Sequence, residues 1–288
     1  MTRLRLRVPG RRTLARLRRA LGQPEVSRRR IDRYLERMRG VTTSGLSTGS
    51  RDSVAVVIPC FGHAAHIPMM FESVVRQTRL PEEVVFVVDD PGDDTKALLA
   101  GLIERQDKPL RARFNVLVNA RNQGQAASLN RGIARSTSDL ILILNDDDYL
   151  MHDTVEVMLS LFAGSPEVAL IGGTCVQFDS DDELASMPKM ITAHSVGALP
   201  PLLVRRPADV LSYRAYNDLN MTHSGSCFTR VAWETVGGYY PDKRRRLVPF
   251  SDRDFQLRVN SLFAVAVSRE VPLSFWRRGS SVDHGLNS

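Results

Sequence analysis

Residues 140–150 read Leu140-Ile141-Leu142-Ile143-Leu144-Asn145-Asp146-Asp147-Asp148-Tyr149-Leu150, an unbroken apolar run that stops at a cluster of carboxylates. A strand with no polar side chain on either face is one that a sheet buries from both sides, which is the habit of parallel sheets covered by helices. The same pattern recurs upstream. Residues 54–58 form a first apolar strand stopped by Pro59, residues 84–88 a second that runs into Asp89-Asp90-Pro91-Gly92, and residues 114–118 a third. Between them, Ile67, Met70, Phe71, Val74 and Val75 share one face of a helix that ends before Pro81. Residues 95–104 read as a second helix, and Gly124 opens a third that runs to about Arg135. Strands alternating with helices predict an α/β fold with a mostly parallel central sheet and crossover helices.

Downstream, Asp153 and Glu156 have the spacing of a capping box for a helix through Phe162, and residues 168–171 read as a further strand. Residues 179–225 carry no clear period and are expected to be a loop-rich region that receives a second substrate. Residues 231–236 read as a helix ended by Gly237-Gly238, residues 251–260 as another, and residues 264–267 and 273–276 as two strands. Upstream of the sheet, Leu14, Leu17 and Leu21, then Ile31, Leu35 and Met38, suggest short basic helices, and residues 42–53 a Ser/Thr/Gly-rich linker. The expected organisation is an N-terminal extension, residues 1–50, and one domain, residues 51–288. That domain divides into a Rossmann-like half (51–178) and a second-substrate half (179–288).

The chain has 288 residues, 43% of them hydrophobic, enough for one large α/β core. Its net charge of +7 sits at one end: in residues 1–40, fourteen Arg stand against Glu25, Asp32 and Glu36, so the remainder carries −4. No basic face is left in the body for nucleic acid. The basic head reads as a helical extension packed on the domain or as a surface held to anionic lipid. The 3 cysteines lack any zinc-like spacing, and no apolar run approaches the roughly 20 residues of a membrane span. The Arg-rich start has no apolar core of a secretory signal. A cytoplasmic location is expected, with peripheral contact at the inner membrane face through the basic end.

In open α/β sheets, ligands bind beyond the carboxyl ends of the strands. Asp89-Asp90 follows the second strand and Asp146 to Asp148 the fourth, so both clusters should face one crevice. Adjacent carboxylates repel, and a divalent cation relieves that repulsion. Taken singly, Asp89-Asp90-Pro91-Gly92 also reads as a plain turn and Asp148 as a cap. No phosphate-cradling GxxxxGK[ST] or GxGxxG loop is present.

In order along the chain, these motifs resemble those of family 2 glycosyltransferases with the GT-A fold. Val54-Ala55-Val56-Val57-Ile58-Pro59-Cys60-Phe61-Gly62 is similar to that family's VSVVIPTYN opening, and residues 71–78 to its ESVLAQT helix. Val87-Val88-Asp89-Asp90-Pro91-Gly92 resembles VVDDGS, Asn122-Gln123-Gly124 the NxG stretch, and Leu144 to Leu150 the LDxDDWL stretch, with Asn145 where its first Asp stands. Gly237-Gly238-Tyr239 and Ser251-Asp252-Arg253-Asp254 resemble the late GGF and ED-x-D elements, with Ser251 in place of Glu.

The resemblance implies an inverting, metal-assisted transfer of sugar from a nucleotide-diphosphate donor, a UDP-sugar first among candidates, to a glycan, lipid-linked or small-molecule acceptor hydroxyl. It implies that Pro59 and Phe61 line the base and ribose pocket, that Asp90 accepts from the base, and that Asn122 and Asp146 lie at the nucleotide. Asp147 and Asp148 then hold Mn²⁺ or Mg²⁺, His284 resembles a late metal or phosphate ligand, and Asp252 matches the catalytic base. As residues alone, Ser251 and Asp254 also fit a capping box and His284 a solvated tail. Two other readings stay open: a sugar-phosphate nucleotidyltransferase, though Pro59-Cys60-Phe61-Gly62-His63 is not its Gly-rich basic loop, and a non-catalytic nucleotide-sugar or glycan-binding module.

Overall fold

A computed structural model of the protein describes residues 24–38, 51–89, 92–186, 199–207 and 221–279. The expected helix around Leu14 to Leu21, residues 42–50 of the expected linker, Asp90 and His284 lie outside the described residues.

The frame of the fold is four parallel strands: β1 (Val54–Cys60), β2 (Glu83–Val88), β3 (Phe114–Val118) and β4 (Leu140–Ile143). They are joined by β5 (Tyr149–Leu150), β6 (Val168–Phe178), β7 (Leu202–Arg205), β8 (Cys227–Thr229) and β9 (Ala264–Arg277). The order across the sheet is β3-β2-β1-β4-β8-β6-β9-β5, with β7 also on β9. β8 runs antiparallel to both β4 and β6, and β6 runs parallel to β9. The sheet is therefore mixed but mostly parallel, as the continuous apolar runs predicted.

Alternation along each central strand feeds two separate cores. Val54, Val56, Ile58, Val84, Phe86, Leu140 and Leu142 face one, packed by α2 (Ile67–Val75), α3 (Thr95–Glu104) and α6 (Thr154–Gly164). Ala55, Val57, Val85, Val87, Ile141 and Ile143 face the other, covered by α5 (Gln125–Arg135), α8 (Arg230–Val236) and α9 (Ser251–Leu262). Gly132 lets α5 lie close on the sheet, since a Cβ there would stand 2.6 Å from Val57 Cγ1. The short α4 (Lys108–Arg111) precedes β3 and α7 (Asp181–Ser186) follows β6. The N-terminal α1 (Pro24–Met38) packs Ile31, Tyr34, Leu35 and Met38 onto the second core, with Tyr34 1% exposed.

Several local expectations change. Residues 264–267 and 273–276 belong to one 14-residue strand, bent by a register shift against β6 near Gly173 and Thr174. β6 likewise runs on to Phe178, past the expected end at Ile171. Gly172 and Gly173 leave room for two side chains against β6, since a Cβ would stand 2.4 Å from Met221 Sδ at the first and 2.6 Å from Leu273 Cδ1 at the second. Within 179–225, expected to be loop-rich, the described parts include α7 and β7. Neither expected capping box forms. Asp153 makes no side-chain cap, and Glu156 accepts from Thr78 Oγ1 instead. Ser251 is the first residue of α9, and Asp254 is drawn inward to Arg258 and to the Leu247 N–H.

Candidate functional site

At the carboxyl ends of β1, β2 and β4 lies a cavity of about 450 Å³, a volume within the range of small-ligand sites. Pro59, Phe61, Asn122, Asp146 and Asp147 line it together with Asp89. Five of the residues singled out in the sequence are thus brought to one place, from loops after three different strands.

Asp89, 2% exposed, organises the wall. Its Oδ1 accepts from Gln123 N–H at 2.8 Å and Asn119 Nδ2 at 2.6 Å, and its Oδ2 accepts from Gly124 N–H at 2.8 Å. These amides lead into α5, whose opening N–H groups have no partner within the helix, so a carboxylate suits the position. Gly124 turns at φ +82°, a backbone conformation that side chains disfavour. Asn122 Oδ1 also accepts from Gly124 N–H.

The three aspartates of the β4 loop have different surroundings. Asp146, 5% exposed, accepts from Phe61 N–H at 2.8 Å through Oδ2, and its Oδ1 lies 2.9 Å from His63 Nδ1. Burial raises its pKa, opposed by His63 and assisted by Asp147. Asp147, 7% exposed, lines the cavity beside it. Asp148 is turned into the protein: Oδ2 accepts from Ser224 Oγ at 2.6 Å and Asn145 Nδ2 at 3.2 Å, and Oδ1 accepts from Arg277 N–H at 3.0 Å. Burial and the Asp147 charge push its pKa up to about 7. Asp148 does not join the donor atoms of its two neighbours; His63 does. One ligand atom from each of His63, Asp146 and Asp147 lies within 4.8 Å of the others. That mixed nitrogen and oxygen set, at the edge of a cavity, fits a divalent cation.

Asp252 stands in the first turn of α9, partly buried; its neighbour Ser251 lines the cavity, whereas Asp252 does not. Its charge acts on buried His223 and Tyr239, which face each other with His223 Nε2 3.1 Å from the Tyr239 hydroxyl. Burial lowers the His223 pKa, against the pull of Asp252. Asn145 and Ser251, the two departures from the family pattern, are joined through Gln125. Its Nε2 donates to Asn145 Oδ1 at 3.1 Å, and its Oε1 accepts from Ser251 Oγ at 3.3 Å.

Of the Arg244-Arg245-Arg246 run, only Arg246 lines the cavity, held by the Tyr240 and Pro249 carbonyls, with Lys243 nearby on the same wall. Arg246 belongs to a run that the sequence offers to a phosphate, with a solvated loop as the alternative, whereas His63, Gln125, Lys243 and Trp276 also line the cavity and lay outside the sequence reading. His63 had one available signal, its place in the loop directly after the first strand.

The family model for glycosyl transferase family 2 matches residues 55–236. YwdF of Bacillus subtilis, an uncharacterized glycosyltransferase, is 28% identical over 206 residues, 71% of this chain and 67% of its own length. The succinoglycan biosynthesis protein ExoO of Rhizobium meliloti is 24% identical over 173 residues, 53% of this chain and 48% of its own. An uncharacterized glycosyltransferase of Haemophilus influenzae is 25% identical over 164 residues, 53% of each chain, so matches of this kind span about half the relative's length. Among solved structures, the mannosyltransferase PcManGT of Pyrobaculum calidifontis, in complex with GDP-Man and Mn²⁺, superposes with a TM-score of 0.58. It is 18% identical and covers 95% of this chain and 70% of its own. S. aureus TarS 1-349 in complex with UDP gives 0.54 at 13% identity, covering 78% and 60%. These likenesses establish a shared fold, and the match over more than half of the sequence establishes kinship: the chain belongs to glycosyl transferase family 2.

Proposed function

We propose that this protein transfers a sugar from a nucleotide-diphosphate donor to an acceptor hydroxyl, with inversion at the anomeric carbon. The observation that carries the reading is the meeting of Asp146 and Asp147 with Pro59, Phe61 and the Asn122 loop in one cavity at the strand ends. Pro59 and Phe61 offer an apolar wall for the base, and Asp146 a carboxylate for the ribose or its neighbouring cation. His63, Asp146 and Asp147 would hold Mn²⁺ or Mg²⁺. A bound divalent cation there would neutralise charge developing on the departing diphosphate. Lys243 and Arg246 add fixed positive charge on the same wall.

Opposite the leaving group, an acceptor hydroxyl must lose a proton as it attacks an oxocarbenium-like carbon. Asp252 is the base in this reading, with Gln125 tying its helix to the β4 loop. A single displacement needs no covalent nucleophile. The name of ExoO, a succinoglycan biosynthesis protein, favours a glycan acceptor. No helix among the described residues is long and apolar enough to cross a membrane. The basic N-terminal segment suits peripheral contact with an anionic inner membrane face.

The test is a turnover assay with UDP-, GDP- and dTDP-sugars, with and without Mn²⁺. Metal-dependent release of sugar supports the reading, and Asp252→Asn should retain donor binding while losing transfer. Release of pyrophosphate, binding without turnover, or full transfer by Asp252→Asn each contradicts it.

A further inference from the structure

Asp148 does not line the cavity: Ser224 Oγ, Asn145 Nδ2 and the Arg277 amide hold its carboxylate, and it lies outside the group of donor atoms gathered at Asp146 and Asp147. The third member of that group is an imidazole, that of His63. His63 leads into a short helical turn (Ala64–His66) after β1, 17% exposed at the side chain, with its Nδ1 directed at Asp146 Oδ1. Phe61 N–H, two residues before, holds the other oxygen of the same carboxylate, and the His66 ring lies 6.0 Å from the His63 ring.

We infer that His63 supplies a nitrogen ligand to the cation at this site, making it selective for transition-metal ions over Mg²⁺ and Ca²⁺. The inference rests on reading the cavity as metal-assisted and concerns which atoms hold the ion. Mg²⁺ and Ca²⁺ favour all-oxygen surroundings, whereas imidazole is a good ligand for first-row transition ions and raises affinity along the series from Mn²⁺ to Co²⁺. A site with two carboxylates and one imidazole therefore discriminates by donor type. The Asp146–His63 contact holds Oδ1 and Nδ1 2.9 Å apart before the ion arrives, and the ion would displace the proton shared between them.

The test uses the full-length protein with Mn²⁺ alone, read by pulsed electron paramagnetic resonance for ¹⁴N coupling, and calorimetric titration with Co²⁺ and Mg²⁺. Wild type should give nitrogen coupling and bind Co²⁺ at least about tenfold more tightly than Mg²⁺. His63→Gln retains an amide to meet Asp146 but has no imidazole; it should lose the coupling and most of the Co²⁺ preference, with an unchanged thermal melt. Persistent coupling in His63→Gln overturns the inference. So does Mn²⁺ that binds wild type without coupling and is lost in Asp147→Asn, an outcome that leaves the metal-assisted reading standing. Failure of wild type to bind any of these ions with or without a nucleoside diphosphate overturns that reading as well.

Discussion

Replacing Asp89 with Asn tests whether this carboxylate builds the cavity wall. Asp89 is 2% exposed and accepts three hydrogen bonds, from Gln123 N–H, Gly124 N–H and Asn119 Nδ2. Asn keeps one acceptor oxygen and puts an amino group where the other was; that amino group then faces either Gln123 N–H and Asn119 Nδ2, or Gly124 N–H, which retains only Asn122 Oδ1. A buried unsatisfied donor costs about 1–3 kcal/mol, and loss of charge weakens the bonds that remain. The expected destabilisation is about 2–4 kcal/mol. At roughly 2–4 °C per kcal/mol for a chain of this class, the melting temperature should fall by roughly 5–15 °C. Because the residues released, Gln123 and Gly124, line the cavity, nucleoside diphosphate binding should weaken in the same variant. Calorimetric melting with titration of UDP and GDP reads both effects. A melt within 2 °C of wild type, with unaltered binding, would refute the assignment of Asp89 as the support of this wall.

Asp254→Asn should cost about 3–5 kcal/mol in chemical denaturation, because it strands the fully buried Arg258 guanidinium that Asp254 pairs with at 2.9 Å; a loss below 1 kcal/mol would contradict this. For Glu83, burial raises the pKa, but hydrogen bonds from Ser138 and Thr137 outweigh it and lower the value overall. A depressed carboxylate stabilises above its unfolded pKa and ceases to as pH falls through the folded value. Glu83→Gln should therefore cost about 1 kcal/mol in urea melts at pH 7, a figure kept small for a half-buried group. The gap should narrow below about pH 4.5; a gap that widens on acidification would be the wrong sign. Gly238→Ala should destabilise by about 1–3 kcal/mol, since φ is +66° and the new Cβ would stand 2.6 Å from Asn130 Oδ1, the acceptor for Trp233 Nε1 and Tyr239 N–H. An unchanged melt would show that the Asn130 contact is dispensable.

The sheet was legible because its central strands are apolar on both faces: Val54 to Ile58 and Leu140 to Ile143 divide their side chains between two cores, leaving no polar residue to blur the period. The convergence of Asp89 with Asp146 and Asp147 followed from strand ends alone, whereas Pro59 and Phe61 were placed there by the family resemblance. What sequence patterning missed depends on long-range packing. The bend of β9 is set by its bulged pairing with β6, and the inward turn of Asp148 by Ser224 and Arg277, residues 76 and 129 positions away. Asp254 was readable as a cap because S-x-x-D is local, yet a buried Arg258 one helical turn later is the stronger partner. His63 offered only its place in the loop after β1; its pairing with Asp146, 83 positions away, is long-range.

The central claim is that carboxylates at the end of β4 bind a divalent ion and a nucleoside diphosphate together. Isothermal titration of UDP and GDP into wild type and Asp147→Asn, each with Mn²⁺ and with chelator, tests it most directly. At least one of the two nucleotides should bind only with Mn²⁺ present, and its affinity should fall at least about tenfold in Asp147→Asn, a loss of about 1.4 kcal/mol, without a change in melting temperature. Equal affinity in wild type and Asp147→Asn, or binding indifferent to chelator, would contradict it.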